Sequence, residues 1–292
     1  MTRFTLFLLL SIASVGAKAS TILTSIKPIQ MITTELTQGV SQPDVLLSSN
    51  ASPHDYALRP SDVKRVHSAD LVIWFGHELE PFMEKVVAAK PSAQVLTLSH
   101  LPELQLREFG EHHHDDGHDH GTHDPHFWLG IKPTQQIAAA IVQKLVEIDP
   151  EHQTQYQSNL AAFNQQLMQL NHELAAQLKP VSKSGYYVFH DAYGYFEQDY
   201  ALKQLGYFTV SPDRKPGAKT LIQIRTALAS GQAQCVFAEP QFTPAVIESV
   251  TRGSEVKVGE LDPLGTQITV QPGSYFTFLR SIADSFSSCL TH

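Results

Sequence analysis

Short apolar runs recur along this chain roughly every 25 residues, with helix-patterned segments between them, a spacing that calls for parallel strands joined by crossover helices. The first four runs begin at Thr21 (TILTSI), Val45 (VLLS), Leu71 (LVIWF) and Gln94 (QVLTL). Helical patterns such as Ser61 to Ser68 and Glu80 to Ala89 lie between them. A second block repeats the rhythm with YYVF from Tyr186, Leu205 to Val210, CVFA from Cys235 and EVKV from Glu255. The expected class is therefore α/β, with two lobes, each a mostly parallel four-stranded sheet flanked by helices.

The two blocks are separated by the longest periodic segment. Tyr156, Leu160, Phe163, Leu167, Leu170, Leu174 and Leu178 recur at steps of four and three, which draws one apolar stripe along a helix. Asp149 reads as its N-cap, Pro150 as its first residue, and Lys179-Pro180 as its stop. About 28 residues at 1.5 Å rise give a rod of roughly 40 Å. This predicts a rigid helix over 150–179, joining an N-terminal lobe at 20–149 to a C-terminal lobe at 180–292. The stripe spans four heptads at most and is rich in Gln, Asn and His, so a coiled-coil dimer fits poorly and a monomer is expected.

Composition narrows the function. At 42% apolar residues the chain can build a core, which argues against disorder. A net charge of −8 argues against a nucleic-acid partner, which would call for a basic face. Residues 1–19 read as a cleavable signal peptide: Arg3, a largely apolar run from Phe4 to Val15, then Ala17-Lys18-Ala19. The run is too short to span a bilayer. The mature chain would begin at Ser20, without a cysteine there to carry a lipid anchor, and its expected destination is a periplasm. In that oxidising compartment Cys235 and Cys289 would pair. Their separation of 54 residues corresponds to about 4 kcal/mol of stabilisation in the chain-entropy model.

Fifteen histidines against two cysteines is the feature that points to chemistry. Ligands of parallel α/β sheets bind beyond the carboxyl ends of the strands. That rule selects His54 in the turn after VLLS, His190 at the end of YYVFH, His126 before the helix at Lys132-Pro133, and Asp262 after EVKVGEL. Two come from each block, as a cleft between lobes requires. Three neutral imidazoles with a carboxylate or water form a tetrahedral site suited to zinc. Asp55, Asp124 and Asp191, each within two residues of one of these histidines, are candidates to fix the ring tautomers. A histidine at a strand end can equally cap a turn or fill a core.

The stretch 111–124 holds six histidines, five acids and no Lys or Arg. It is expected to be an acidic loop that binds divalent metal weakly through His112, His113, His114, His118, His120 and His123. His67, His77, His100, His152, His172 and His292 carry no pattern and are read as structural or surface residues. The sequence has no HExxH helix, GxSxG elbow, Walker loop or GxGxxG fingerprint, so an enzyme is not expected.

Five motifs then single out a family. SPHDYALRPSD (Ser52 to Asp62), HFWL (His126 to Leu129), FHDAYGYF (Phe189 to Phe196), FAEPQF (Phe237 to Phe242) and LDPLG (Leu261 to Gly265) occur in an order that strongly resembles the periplasmic zinc-binding proteins of zinc-uptake ABC transporters. The resemblance runs from about Thr21 to Cys289 and takes in the acidic loop, the linking helix and the cysteine pair. It implies Zn(II) as the carried ligand, His54, His126 and His190 as its ligands, and a membrane permease as partner. Asp262 matches a carboxylate that ligates manganese in related manganese and iron binders, and is the expected fourth ligand here unless water takes that place. Some zinc members have Glu directly before the first histidine, where this chain has Pro53. The runner-up readings are a manganese or iron binder of the same architecture, and a metal-dependent hydrolase. A surface adhesin, a role of some relatives, is a third.

Overall fold

Eight strands form where the apolar runs predict them. In the computed structural model the described residues are 20–47, 51–108, 123–209, 215–242 and 245–291. The expected signal peptide and His112, His113, His114, His118 and His120 of the acidic loop lie outside them. The first sheet contains β1 (Ile22–Thr24), β2 (Asp44–Val45), β3 (Leu71–Trp74) and β4 (Val95–Thr97) in the order β2-β1-β3-β4. The second contains β5 (Gly185–His190), β6 (Lys203–Thr209), β7 (Cys235–Ala238) and β8 (Lys257–Glu260) in the order β6-β5-β7-β8. Every pairing between these strands is parallel, so all carboxyl ends of one sheet lie on one edge.

Nine helices among the described residues fill the crossovers: α1 (Lys27–Leu36), α2 (Pro60–Ser68), α3 (Glu84–Ala88), α4 (Ile131–Ile148), α5 (Gln153–Leu178), α6 (Gly194–Tyr200), α7 (Ala218–Ala229), α8 (Ala245–Thr251) and α9 (Ser274–Leu290). Two depart from the sequence pattern. The helix expected over Glu80 to Ala89 divides into a 3₁₀ turn, Pro81–Met83, and the short α3, since Pro81 offers no amide to a preceding turn. The linking helix expected from Pro150 opens with a 3₁₀ turn, Pro150–His152, and becomes α-helical only at Gln153. There the Asp149 carboxylate accepts from the His152 ring at 2.8 Å and the Tyr156 hydroxyl at 2.8 Å. The α-helix ends at Leu178, immediately before Lys179-Pro180.

The stripe on α5 is the spine of the molecule. Tyr156, Phe163, Leu167, Leu170, Leu174 and Leu178 are all buried, against α1, α4 and α9. Because α9 also reaches α1, one apolar core continues from the first half of the chain into the second. A smaller core lies under α7 and α8 and includes Phe208, Ile224, Val236 and Ile247. Cys235 and Cys289 form a disulfide that ties the start of β7 to the end of α9. Gly265 has φ of 61°, and a Cβ there would come within 2.9 Å of Phe278 and 3.0 Å of Met31, so only glycine lets this turn lie against α1 and α9.

Candidate metal centre

The segment carrying His54 is fixed from downstream. The Asp62 carboxylate, in the first turn of α2, accepts from the Arg59 amide at 2.9 Å and from the Tyr56 hydroxyl at 2.9 Å. Pro60 at the helix start has no amide to satisfy, which suits that position. His126 stands just before the 3₁₀ turn Phe127–Leu129. That turn is tied to the second half of the chain: the Trp128 indole donates to the Pro263 carbonyl at 2.7 Å, and the Tyr275 hydroxyl to the Trp128 carbonyl at 2.7 Å. His190 is the last residue of β5, at the carboxyl edge of the second sheet.

These three histidines converge. His54, His126 and His190 each offer a ring nitrogen, and the three nitrogens lie within 4.8 Å of one another. The rings are 5.1 to 5.8 Å apart between centroids. His126 and His190 are each only 2% exposed, whereas His54 is half-buried and closes the pocket from the solvent side. Pro53, Trp128, Phe242, Pro263 and Leu264 complete an apolar wall around the rings.

The hydrogen bonds behind the rings decide what the pocket can hold. His126 Nδ1 meets Asp124 Oδ1 at 2.8 Å, and His190 Nδ1 meets Glu239 Oε1 at 2.6 Å. Each carboxylate is an acceptor, so each Nδ1 carries the proton and each Nε2 is left with a lone pair. The two Nε2 atoms face each other at 3.2 Å. With no proton between them they repel unless a cation intervenes. Two nitrogens bound to one tetrahedral zinc at about 2.05 Å would stand roughly 3.3 Å apart, so the rings already have the spacing of a zinc site.

Asp124 has a second set of partners. It is fully buried, its Oδ2 accepts from Arg107 at 3.1 Å, and its Oδ1 also accepts the His126 amide at 3.0 Å. Burial pushes its carboxyl up to about 7, with the charge of Asp191 adding to the effect and Arg107 opposing it. Burial and the neighbouring His190 hold the His126 ring well below the usual imidazole range, so it stays neutral and available to a metal. The Arg107 guanidinium crosses the face of Gly194 at the head of α6, where any side chain would block it.

Asp262 stands apart from the cluster. Its carboxylate accepts from Gln241 at 2.8 Å, from the Leu264 amide at 3.1 Å, and from both the amide and the hydroxyl of Thr266, which turns it into the LDPLG loop. Of the three aspartates expected to orient rings, Asp124 does so. Asp55 is exposed, and Asp191 lies near Gln204 at 3.5 Å. The acceptor for His190 is Glu239, just beyond β7, which was not singled out from the sequence although it lies in the FAEPQF motif. His123, the last histidine of the acidic stretch, pairs across an antiparallel bridge with Glu108 and lies 4.0 Å from Glu78.

The chain resembles known proteins over almost its whole length. The family model described as ZnuA, zinc-uptake complex component A, periplasmic, matches residues 22–289. The high-affinity zinc uptake system protein ZnuA of Yersinia pestis is 44% identical over 93% of this chain and 92% of its own. Its counterpart in Haemophilus ducreyi is 42% identical over 92% of this chain and 93% of its own. A crystal structure of a zinc-bound ZnuA deletion mutant superposes with a TM-score of 0.79 at 27% identity, covering 94% of this chain and 99% of that one. The chain belongs to the ZnuA family, the periplasmic component of zinc-uptake complexes.

Proposed function

We propose that this protein captures Zn(II) in the pocket between its two halves and delivers it to the membrane permease of a zinc ABC transporter. The observation that carries this reading is the pair of Nε2 atoms 3.2 Å apart, with a third imidazole within reach. Three neutral imidazoles form a borderline-soft donor set that suits zinc, whereas manganese and iron(II) favour a carboxylate among the ligands. Among the described residues no carboxylate joins the cluster. With Asp262 held in its own loop, water is the natural fourth ligand, and exchange of that water opens a route for release. The carboxylates beside the rings, Asp124 and Glu239, are engaged with the ring Nδ1 atoms, which supports carriage over hydrolysis.

The remaining assignments belong to the same reading. The leader is cleaved after Ala19, and the mature protein, from Ser20, is a periplasmic monomer without a lipid anchor. Its lobes are 20–149 and 180–292, with 150–179 as the connecting helix. The acidic segment 111–124, through His112, His113, His114, His118, His120 and His123, gathers zinc weakly.

Metal titration of the chelator-stripped mature protein tests this directly, with His190→Ala and a deletion of residues 112–123 alongside. One tight zinc site is expected in the wild type. It should weaken in His190→Ala by more than the roughly 100-fold that follows loss of a ligand's outer partner. The deletion should keep the tight site and lower the total zinc bound. A tight site that survives His190→Ala would move the metal elsewhere.

A further inference from the structure

Glu239 is a buried carboxylate in the pocket wall, set behind His190. It is 3% exposed, and among the described residues its carboxylate's only hydrogen bonds are to the His190 ring at 2.6 Å and the Tyr193 hydroxyl at 3.3 Å, both through Oε1. Oε2 is buried without a hydrogen-bond partner among the described residues. Leaving a carboxylate oxygen in that condition costs stability, and a fold that needed only to fill this space would place an apolar side chain there. Tyr193 lies 3.3 Å from the Leu261 carbonyl as well, so its hydroxyl links the carboxylate to the backbone beyond β8.

Its position gives Glu239 control over His190. A free imidazole in water prefers the tautomer with the proton on Nε2, which is the nitrogen that faces the pocket here. A proton there would block the metal. An acceptor at Nδ1 reverses that preference and stops the ring from turning about its χ2 bond. Asp124 does this for His126 from two residues away, inside the same turn. For His190 the task falls to a different strand, 49 residues later. Asp191 cannot substitute, because successive residues at a strand end point to opposite faces.

We propose that Glu239 is a positioning residue for zinc capture. It holds His190 in the Nδ1–H tautomer before metal arrives, so the pocket does not have to select a minor form of the ring. The inference rests on the zinc-capture reading above, and its test separates the two. In metal-free protein carrying ¹⁵N-labelled histidine, long-range proton–nitrogen correlation spectra report the tautomer of each ring. His190 should be Nδ1–H in the wild type and should shift toward Nε2–H in Glu239→Ala. In chelator competition Glu239→Ala should bind zinc about 10- to 100-fold more weakly. The isosteric Glu239→Gln keeps an oxygen near Nδ1 without the charge, and should keep the tautomer while losing about 3- to 10-fold in affinity. If Glu239→Ala does not fold, as judged by its circular dichroism, Glu239→Gln alone decides. Zinc affinity within threefold of the wild type in the folded variants, or an unmoved His190 tautomer in Glu239→Ala, overturns the inference. Absence of any tight zinc site in the wild type would instead overturn the functional reading, while the tautomer result would still stand.

Discussion

Glu80 is wholly buried beyond the end of β3, where one of its oxygens accepts the Phe75 amide at 2.8 Å. Burial pushes its carboxyl from an ordinary value of 4.5 up to about 7. The folded protein therefore keeps a proton that the unfolded chain releases between about pH 4.5 and 7. The associated stability is fully present below the unfolded value and is lost as pH rises through the folded one. Thermal unfolding of the metal-free protein from pH 5 to 8 should show the wild type losing stability relative to Glu80→Gln, by up to about 3 kcal/mol. Parallel curves for the two proteins would mean that Glu80 ionises normally.

The same scale shows where single residues could and could not be read from the sequence. His54, after β2, and His190, at the end of β5, were legible because parallel strands gather their ends on one edge, where ligands go; His126, which ends no strand, was legible from its place just before a helix. Glu239 was not, because adjacency in sequence favoured Asp191, and side chains alternate along a strand. The motifs explain themselves only in three dimensions. The glycine of FHDAYGYF, Gly194, makes room for the guanidinium that holds Asp124, and the glutamine of FAEPQF, Gln241, binds Asp262.

At the scale of elements, a period of two or of 3.6 carries most of the information. The stripe on α5 follows from the period of 3.6, and the eight strands among the described residues follow from the short apolar runs. The 3₁₀ turns that open α5 and precede α3 did not, although Asp149, Pro150 and Pro81 mark both places in the sequence. The stripe also gives a stability test. Leu174 is fully buried, and Leu174→Ala should cost about 2 to 5 kcal/mol in chemical denaturation. Met168, on the same helix but 39% exposed, should tolerate alanine within about 0.5 kcal/mol. Equal losses at the two positions would contradict the burial pattern.

The whole molecule is held together across its halves by more than α5. Besides the Trp128–Pro263 and Tyr275–Trp128 bonds, Lys27 donates to the Thr266 carbonyl at 2.9 Å, and the Ile131 amide to Asp199 at 2.8 Å. With one core running through, the two sheets should unfold together. Near-ultraviolet and far-ultraviolet circular dichroism should give one midpoint in the metal-free protein. Trp128→Phe, which removes the donor to Pro263, should lower that single midpoint by about 1 to 3 kcal/mol in stability terms. Two separate midpoints would show that the halves melt independently. A core of this continuity also favours small tilts of the halves on loading over a wide hinge closure.

The bridge between Glu108 and His123 has a consequence for how such a protein can change over time. Its two residues are neighbours in space although far apart in sequence, so a change in the length of the segment between them need not move the path from His123 to His126. Lengthening a segment anchored in this way costs little: each doubling adds only about 0.6 kcal/mol of closure entropy. Histidines and acids can be gained or lost there while Asp124 and Arg107 keep the His126 ring in register. If the acidic segment gathers zinc as proposed, capacity and affinity are separate variables in this architecture, one set by the length and composition of that segment, the other by three rings and the carboxylates behind them.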